Sequence, residues 1–256
     1  MSAANPILRW FVSIRGFFRL INNRRLDNRF RVFPEPGILL VLLALAAILI
    51  AALSIFADPV FLQWLQAGNV QKDSWFAYTT DIGKSNWMLW SSGSILLVMP
   101  FIGTGRFKAR KLIRWHRISL VFYFLFTTIA FSGLLALLMK NAIGRARPRI
   151  VEDMQVWQLS PFGDNYEFAS FPSGHATTAG AVTMALALLF PRVSVFLALA
   201  GIWLATTRVA IGVHFPSDVV AGVLFGATFS WLYAREFARR RLLFEFNHAG
   251  KLKLRG

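Results

Sequence analysis

A run of twenty residues without a charge, from Gly37 to Phe56, constrains the fold of this chain more than any other feature. A helix rises about 1.5 Å per residue, so about 20 apolar residues cross the roughly 30 Å of hydrocarbon in a bilayer. Of the 256 residues, 56% are hydrophobic, whereas soluble domains average about 45–50%. The sequence therefore predicts an integral membrane protein.

Five further apolar runs follow, at about 87–103, 118–139, 176–190, 193–207 and 219–233. They predict an all-α fold, a bundle of six transmembrane helices. The fourth and sixth spans can be lengthened by the polar residues before them, from Ser173 and from Asp218, which is typical of helices that begin in a polar cavity. We expect a basic amphipathic arm at 1–36, a six-helix membrane domain at 37–234 and a basic tail at 235–256.

The basic residues are distributed unevenly along these spans. A net charge of +16 could indicate nucleic-acid binding. However, 21 of the 28 Lys and Arg residues fall in the two termini and the second and fourth loops, which share one side of a six-span bundle. The positive-inside rule places this side, with both termini, in the cytoplasm. Membrane topology and contact with anionic lipid headgroups then account for the net positive charge of the chain, and no nucleic-acid partner is expected.

The arm at 1–36 is too long in its charged part to be a cleavable signal peptide. Apolar residues between positions 7 and 21 recur at helical spacing, with Arg9 and Arg19 between them. Two readings remain open, an amphipathic helix on the inner membrane surface and a tail that only sets topology.

Four histidines divide into two pairs, and the chain has no cysteine. His116 and His248 lie in cytoplasmic basic stretches. His175 and His214 lie on the predicted outer side beside membrane helix ends, where an ionisable group is costly and usually functional. Five outer basic residues also lie close to span ends: Lys140, Arg145, Arg147, Arg149 and Arg208. We expect this cluster to bind an anion.

Three short segments carry these residues, and each has an ordinary alternative. Pro172-Ser173-Gly174-His175 can offer free backbone N–H groups at a helix start, or can be a plain cap. His214 lies one turn before Asp218, which could orient its ring, or the pair could be a surface salt bridge. Lys140 and Arg147, with a turn at Gly144, could hold phosphate oxygens, or could simply flank a span.

Together these segments resemble the three-part signature of the type 2 phosphatidic acid phosphatase family. The resemblance covers roughly residues 75–235. Thr80 to Gly83 also resembles a stretch common in the family, although this match is weak, and Thr207 differs from the serine that the family usually has there. It implies a metal-independent phosphatase without a cofactor. His214 would be the nucleophile, Asp218 would orient it, and His175 would be the general acid and base. The implied phosphate-binding groups are Lys140, Arg147, Arg208, Ser173 and Gly174.

The resemblance implies hydrolysis of a lipid phosphate through a phosphohistidine. The candidates are phosphatidic acid, phosphatidylglycerol phosphate, an isoprenyl diphosphate and a lipid A phosphate. Alternatives are a lipid phosphotransferase that uses the same intermediate and a non-catalytic lipid transporter. We expect a bacterial inner-membrane protein with a periplasmic site. The role of the loop at 149–170, as headgroup selector or aromatic membrane anchor, and the oligomeric state stay open.

Overall fold

A computed structural model of the chain describes residues 26–68, 75–102 and 108–255, together with residues 15, 16, 19, 21 and 23. The predicted amphipathic helix at 7–21 lies largely outside the described residues. The fold divides into two compact units. Unit 1 comprises 1–32, 86–127 and 232–256, and unit 2 comprises 33–85 and 128–231.

The described residues are mostly helical. The α-helices are α1 (Pro36–Ala52), α2 (Asp58–Gln66), α3 (Trp75–Thr80), α4 (Ser85–Val98), α5 (Ala109–Ile143), α6 (Gly174–Leu189), α7 (Ser194–Ala210) and α8 (Pro216–Arg239). Two short strands, β1 (Phe244–Phe246) and β2 (Leu252–Leu254), form an antiparallel hairpin. The predicted all-α fold did not include this hairpin.

Four helical segments of the described residues are long and apolar enough to cross a membrane, and the chain is an integral membrane protein. They are Pro36–Gln66, Ala109–Ile143, Pro191–Ala210 and Pro216–Arg239. Helices occur at all six predicted places, but α6 has 16 residues and α4 has 14. The count of six spans and the cytoplasmic position of both termini therefore stay predictions.

The first membrane helix extends well beyond its predicted end at Phe56. A π-helical turn, Leu53–Ala57, joins α1 to α2 without a break. Pro59 accounts for this turn, because proline has no N–H to donate to the carbonyl four residues earlier and its ring crowds that carbonyl. Asp58 lies at this change of helical geometry, about 22 residues or roughly 30 Å from the start of α1.

Glycines let the helices of unit 2 approach closely. A Cβ at Gly180 on α6 would clash with the carbonyl of Val223 on α8, and one at Gly226 on α8 would clash with the carbonyl of Thr177. At Gly222 an added Cβ would lie 2.6 Å from the Ser173 carbonyl oxygen. Small residues of this kind bring membrane helices into backbone contact. The starts of α6 and α8 are thereby held side by side.

Unit 1 has an aromatic core of its own. Phe124 is fully buried, with ring centroids 5.9 Å from Tyr233, 5.1 Å from Phe237 and 5.1 Å from Phe244. The hairpin pairs Glu245 directly with Lys253, and their side chains form a 2.9 Å ion pair. The tail after α8 is thus folded in its described part.

Candidate active site

The predicted site residues of unit 2 lie at the ends of four helices. Lys140 is in the last turn of α5, and Arg208 is in the last turn of α7. His175 is in the first turn of α6, and Asp218 is in the first turn of α8. His214 lies in the connection just before α8. Because α5 and α7 end where α6 and α8 begin, three separate sequence segments supply one group of residues.

Ser173 joins the starts of α6 and α8. Its side chain caps α6 by accepting from the Ala176 N–H at 3.5 Å, and its own N–H donates to the Asp218 carbonyl at 3.1 Å. A Cβ added to Gly174 would lie 3.8 Å from Lys140 Nζ, so the Lys140 ammonium lies beside the start of α6. The partial positive charge of a helix start and a lysine ammonium both favour an anion there.

A serine hydroxyl bridges His214 and Asp218. Nδ1 of His214 is 3.7 Å from Asp218 Oδ2, which is longer than a hydrogen bond. Ser170 Oγ lies 3.4 Å from the same nitrogen and donates to Asp218 Oδ2 at 2.6 Å. With the serine proton on the carboxylate side, Nδ1 of His214 is the donor to Ser170. This series of hydrogen bonds places the ring proton of His214 on Nδ1 and leaves Nε2 with its lone pair.

Burial lowers the pKa of His214 to about 3. The neighbouring Asp218 carboxylate raises this pKa, and the cations Lys140 and Arg147 lower it. The imidazole is therefore neutral around pH 7, which a nitrogen nucleophile requires.

Arg145 is fully buried between two carboxylates. Its guanidinium donates to Asp218 Oδ1 at 2.5 Å and to Asp58 Oδ2 at 2.7 Å, and both acids are fully buried as well. The rings of Trp157 and Phe215 lie 4.1 Å and 4.2 Å from the guanidinium carbon. We call Asp58, Arg145 and Asp218 the inner ion cluster. The expectation that Arg145 belongs to an anion-binding cluster is wrong, because its partners are carboxylates of the same chain.

Both acids of the inner ion cluster satisfy N–H groups at the start of α8. Asp218 Oδ2 accepts from the Phe215 N–H at 3.0 Å, the reaching-back half of a capping box. Asp58 Oδ1 accepts from the Ser217 N–H at 3.0 Å, and Asp58 Oδ2 accepts from the Ser217 hydroxyl at 2.5 Å. Phe215 has no polar side chain with which to cap the helix. Asp58, which is distant in sequence, supplies that cap.

Several cationic and histidine nitrogens are buried without a partner among the described residues. They are Nε and Nη2 of Arg147, Nε of Arg208 and Nε2 of His175. Buried donors are almost always paired, so a group of unpaired ones indicates a missing acceptor. Arg147 is only 4% exposed, and the Tyr166 ring lies 4.1 Å from its guanidinium carbon. An anion with several oxygens would satisfy these nitrogens.

The segment from Thr80 to Gly83 contacts two residues of this group. The buried Thr80 hydroxyl accepts from Arg208 Nη1 at 3.0 Å and from the Thr207 hydroxyl at 3.0 Å. At Gly83 an added Cβ would be 3.7 Å from Cδ2 of His175. The weak part of the sequence signature therefore adjoins the site, and the hydroxyl retained at Thr207 has a defined partner.

Comparison with known proteins identifies the family. The sequence profile of the PAP2 superfamily matches residues 120–242. The lipid A 1-phosphatase of Rhizobium johnstonii is 47% identical over 170 residues, 65% of this chain and 68% of that protein. The lipid A 1-phosphatase of Rhizobium etli is 45% identical over 170 residues, 65% of this chain and 72% of that protein. This chain belongs to the PAP2 superfamily.

As a PAP2 superfamily member, the protein is a membrane phosphatase. Among solved structures, a transmembrane PAP2-type phosphatidylglycerolphosphate phosphatase from Bacillus subtilis covers 88% of this chain and 94% of its own. Its TM-score is 0.40, and its sequence is 19% identical.

In this PAP2 phosphatase, the loop after α5 is folded back on the site. Gly144 has a positive φ of 62°, and a Cβ there would clash with the Ser160 carbonyl. The Ala146 N–H donates to the Gln158 carbonyl at 2.8 Å, and the Ser170 N–H donates to the Arg145 carbonyl at 3.0 Å. The loop thus fixes the backbone of the arginine segment. Its aromatic residues Trp157 and Tyr166 cover Arg145 and Arg147.

An apolar groove of about 430 Å³ adjoins the first membrane helix. It is lined by Ala47, Ile50, Ala51, Ser54, Ile55 and Trp157. Trp157 donates from Nε1 to the Ser54 hydroxyl and also covers the Arg145 guanidinium. One side chain thus connects the apolar groove with the inner ion cluster.

Sequence reasoning missed Asp58 and Ser170. An ionisable residue directly after a long apolar run was the available signal for Asp58. Ser170 gave no signal of its own, because nothing in its neighbourhood distinguishes it from an ordinary loop serine. Among the described residues, no three or more His, Cys, Asp or Glu side chains lie together in a way that could hold a metal ion.

Proposed function

We propose that this PAP2 phosphatase removes the 1-phosphate of lipid A at the periplasmic face of the inner membrane, with His214 as the nucleophile. The observation that carries the proposal is the group of unpaired buried nitrogens on Arg147, Arg208 and His175, which lies beside a neutral buried histidine. The likeness to two lipid A 1-phosphatases supports the choice of lipid.

In the first step, Nε2 of His214 attacks phosphorus, and the bond between phosphorus and the sugar oxygen breaks. The leaving oxygen takes a proton from His175. The Nδ1 proton of His214 stays on the ring, so the ring becomes cationic, and Asp218 stabilises that charge through Ser170. The result is a phosphohistidine and a lipid with one phosphate fewer.

In the second step, water attacks the phosphohistidine and His175 accepts its proton. The bond between phosphorus and Nε2 breaks, inorganic phosphate leaves, and His214 returns to the neutral state. Phosphoryl transfer depends mainly on positioning and charge neutralisation. Lys140, Arg147 and Arg208 would hold the equatorial oxygens together with Ser173 and the Gly174 amide.

The charge distribution supports a periplasmic location. The site residues lie at the helix ends that the positive-inside rule assigns to the outer side. A lipid whose phosphate lies at the outer interface could reach them by lateral diffusion. An acyl chain would then occupy the apolar groove at Ala47, Ala51 and Trp157.

The proposal is tested with the protein purified in detergent. Phosphate release would be measured from lipid A, phosphatidic acid, phosphatidylglycerol phosphate and undecaprenyl diphosphate in excess chelator. We expect preferred loss of the 1-phosphate from lipid A. His214→Ala should abolish it, while His116→Ala, outside the site, should not.

Four results would each overturn a different part of the proposal. Preference for another lipid would refute the substrate, and turnover by folded His214→Ala would refute the covalent mechanism. Dependence on a divalent metal would refute metal independence. Release that appears only with an added lipid acceptor would assign the chain to the phosphotransferases.

A further inference from the structure

We infer that Asp58 is a positioning residue for the phosphatase reaction, acting on His214 through Arg145 and Asp218. The inference rests on the proposed role of His214. Asp58 is fully buried, and both of its carboxylate oxygens are used: Oδ1 by the Ser217 N–H, and Oδ2 by the Ser217 hydroxyl and Arg145.

The first part of this role is geometric. Asp58 caps the start of α8, so it fixes where that helix begins. His214 lies two residues before Pro216, and Asp218 lies two residues after it. A shift of this helix start would move the nucleophile and its orienting carboxylate together. Displacements of about 1 Å can cost about a hundredfold in rate.

The second part is electrostatic. One guanidinium is shared by two carboxylates. With both carboxylates ionised, the inner ion cluster has a net charge of −1. The ring of His214 gains a positive charge when it is phosphorylated. If Asp58 were neutral, Arg145 would compensate Asp218 alone, and the cluster would have no net charge left to stabilise that ring. Asp58 therefore keeps Asp218 effective as a counter-ion.

The position of Asp58 also gives the first membrane helix a role in the site. It lies outside residues 120–242, which the superfamily profile matches. The continuous segment Pro36–Gln66 carries it to the inner ion cluster through the π-helical turn before Pro59. The first membrane helix thus supplies a working part of the site in addition to anchoring the chain.

The test uses Asp58→Asn in the full-length protein, with Asp27→Asn as the matched control. Asp27 is also paired with two arginines, Arg29 at 2.8 Å and Arg241 at 2.9 Å, but belongs to unit 1. We expect Asp58→Asn to lower kcat about 10- to 100-fold, the range for residues that orient catalytic groups, with KM changed by less than about twofold. The control should match the wild type.

A spectroscopic measurement tests the same inference without turnover. The ring ¹⁵N resonances of His214, assigned by their absence in His214→Ala, should shift in Asp58→Asn, while those of His116 and His248 stay in place. Ser217→Ala, which keeps every charge of the cluster, should lower kcat less and shift the same resonances less. It serves as the second variant if Asp58→Asn does not fold.

Unchanged kcat together with unchanged His214 resonances in a folded variant would overturn the inference. Equal losses in Asp58→Asn and Asp27→Asn would do so too, because they would show a general effect of removing paired carboxylates. A wild type that hydrolyses none of the lipids would refute the proposed function alone. The His214 resonances would then still decide the role of Asp58.

Discussion

Ion pairs in the two units of this protein differ in their exposure to solvent. The inner ion cluster of unit 2 joins Arg145 to Asp58 and Asp218, and all three side chains have 0% exposure. In the hairpin of unit 1, Glu245 and Lys253 pair at 2.9 Å with 33% and 56% exposure. Water and salt weaken the second kind of pair, while burial makes loss of a partner costly in the first. Loss of one partner should therefore cost much more stability in the inner ion cluster than in the hairpin.

The largest expected effect is from Arg145→Met. This change leaves two carboxylates buried without their cation, and removing one partner of a buried pair costs about 3–5 kcal/mol. We expect that loss in the free energy of unfolding, measured by tryptophan fluorescence in mixed micelles. Lys253→Met in the hairpin should shift the transition only slightly, because an exposed pair contributes little.

A triple variant sharpens this prediction. Arg145→Met combined with Asp58→Leu and Asp218→Leu removes all three charges, and apolar replacement of a whole buried network is often close to neutral. We expect most of the stability to return without any turnover. A triple variant no more stable than Arg145→Met would show that packing, not unpaired charge, causes the loss.

The next effect is the pH dependence of stability. The pKa of His214 is lowered to about 3 in the folded state, compared with about 6.5 in an unfolded chain. The unfolded chain therefore binds this proton first, so stability is fully present above about pH 6.5 and falls as pH falls toward 3. Unfolding measured across this range should show the decline.

His214→Gln should flatten the pH dependence, since it removes the titrating ring. His116→Gln should retain the wild-type slope. An identical slope in His214→Gln would assign the acid sensitivity to other groups, such as His175 and the carboxylates.

The sequence predicts the local features of this protein better than the contacts between residues that are distant along the chain. Apolar runs locate helices because lipid requires them, and the residue spacing of His175, His214 and Asp218 carries the family signature. The inner ion cluster is different: Asp58 and Arg145 are 87 positions apart, and no periodicity relates them. The hairpin and the extension of the first helix to Gln66 also depend on tertiary packing, which local sequence does not encode.

A smaller effect is expected from Ser170→Ala, which removes the hydroxyl between His214 and Asp218. We expect kcat to fall about tenfold with little change in KM, since the ring loses its partner at Nδ1. Ser132→Ala is the control, because Ser132 is equally buried but donates to the Ile129 carbonyl of its own helix. Equal rates in the two variants would rule out the bridging role.

Thr80→Val should have a smaller effect, confined to binding. The variant loses the acceptor of Arg208 Nη1, and one such hydrogen bond contributes about 0.5–1.5 kcal/mol. We expect KM to rise about two- to tenfold with kcat nearly constant. Thr79→Val is the neighbouring control, because the Thr79 hydroxyl donates to carbonyls of its own helix. A fall in kcat without a change in KM would contradict a role limited to holding the phosphate.

The smallest effect concerns the exposed pair of the hairpin. The Lys253 ammonium lowers the pKa of Glu245, so this pair stabilises the fold above about pH 4.3, the unfolded value, and is lost as pH falls through the folded value. Glu245→Gln should slightly lower the unfolding temperature at pH 7 in low salt. Because salt screens exposed charges, the difference from wild type should vanish at high ionic strength. A difference that persists there would mean that the hairpin is shielded from water, and the contrast with the inner ion cluster would weaken accordingly.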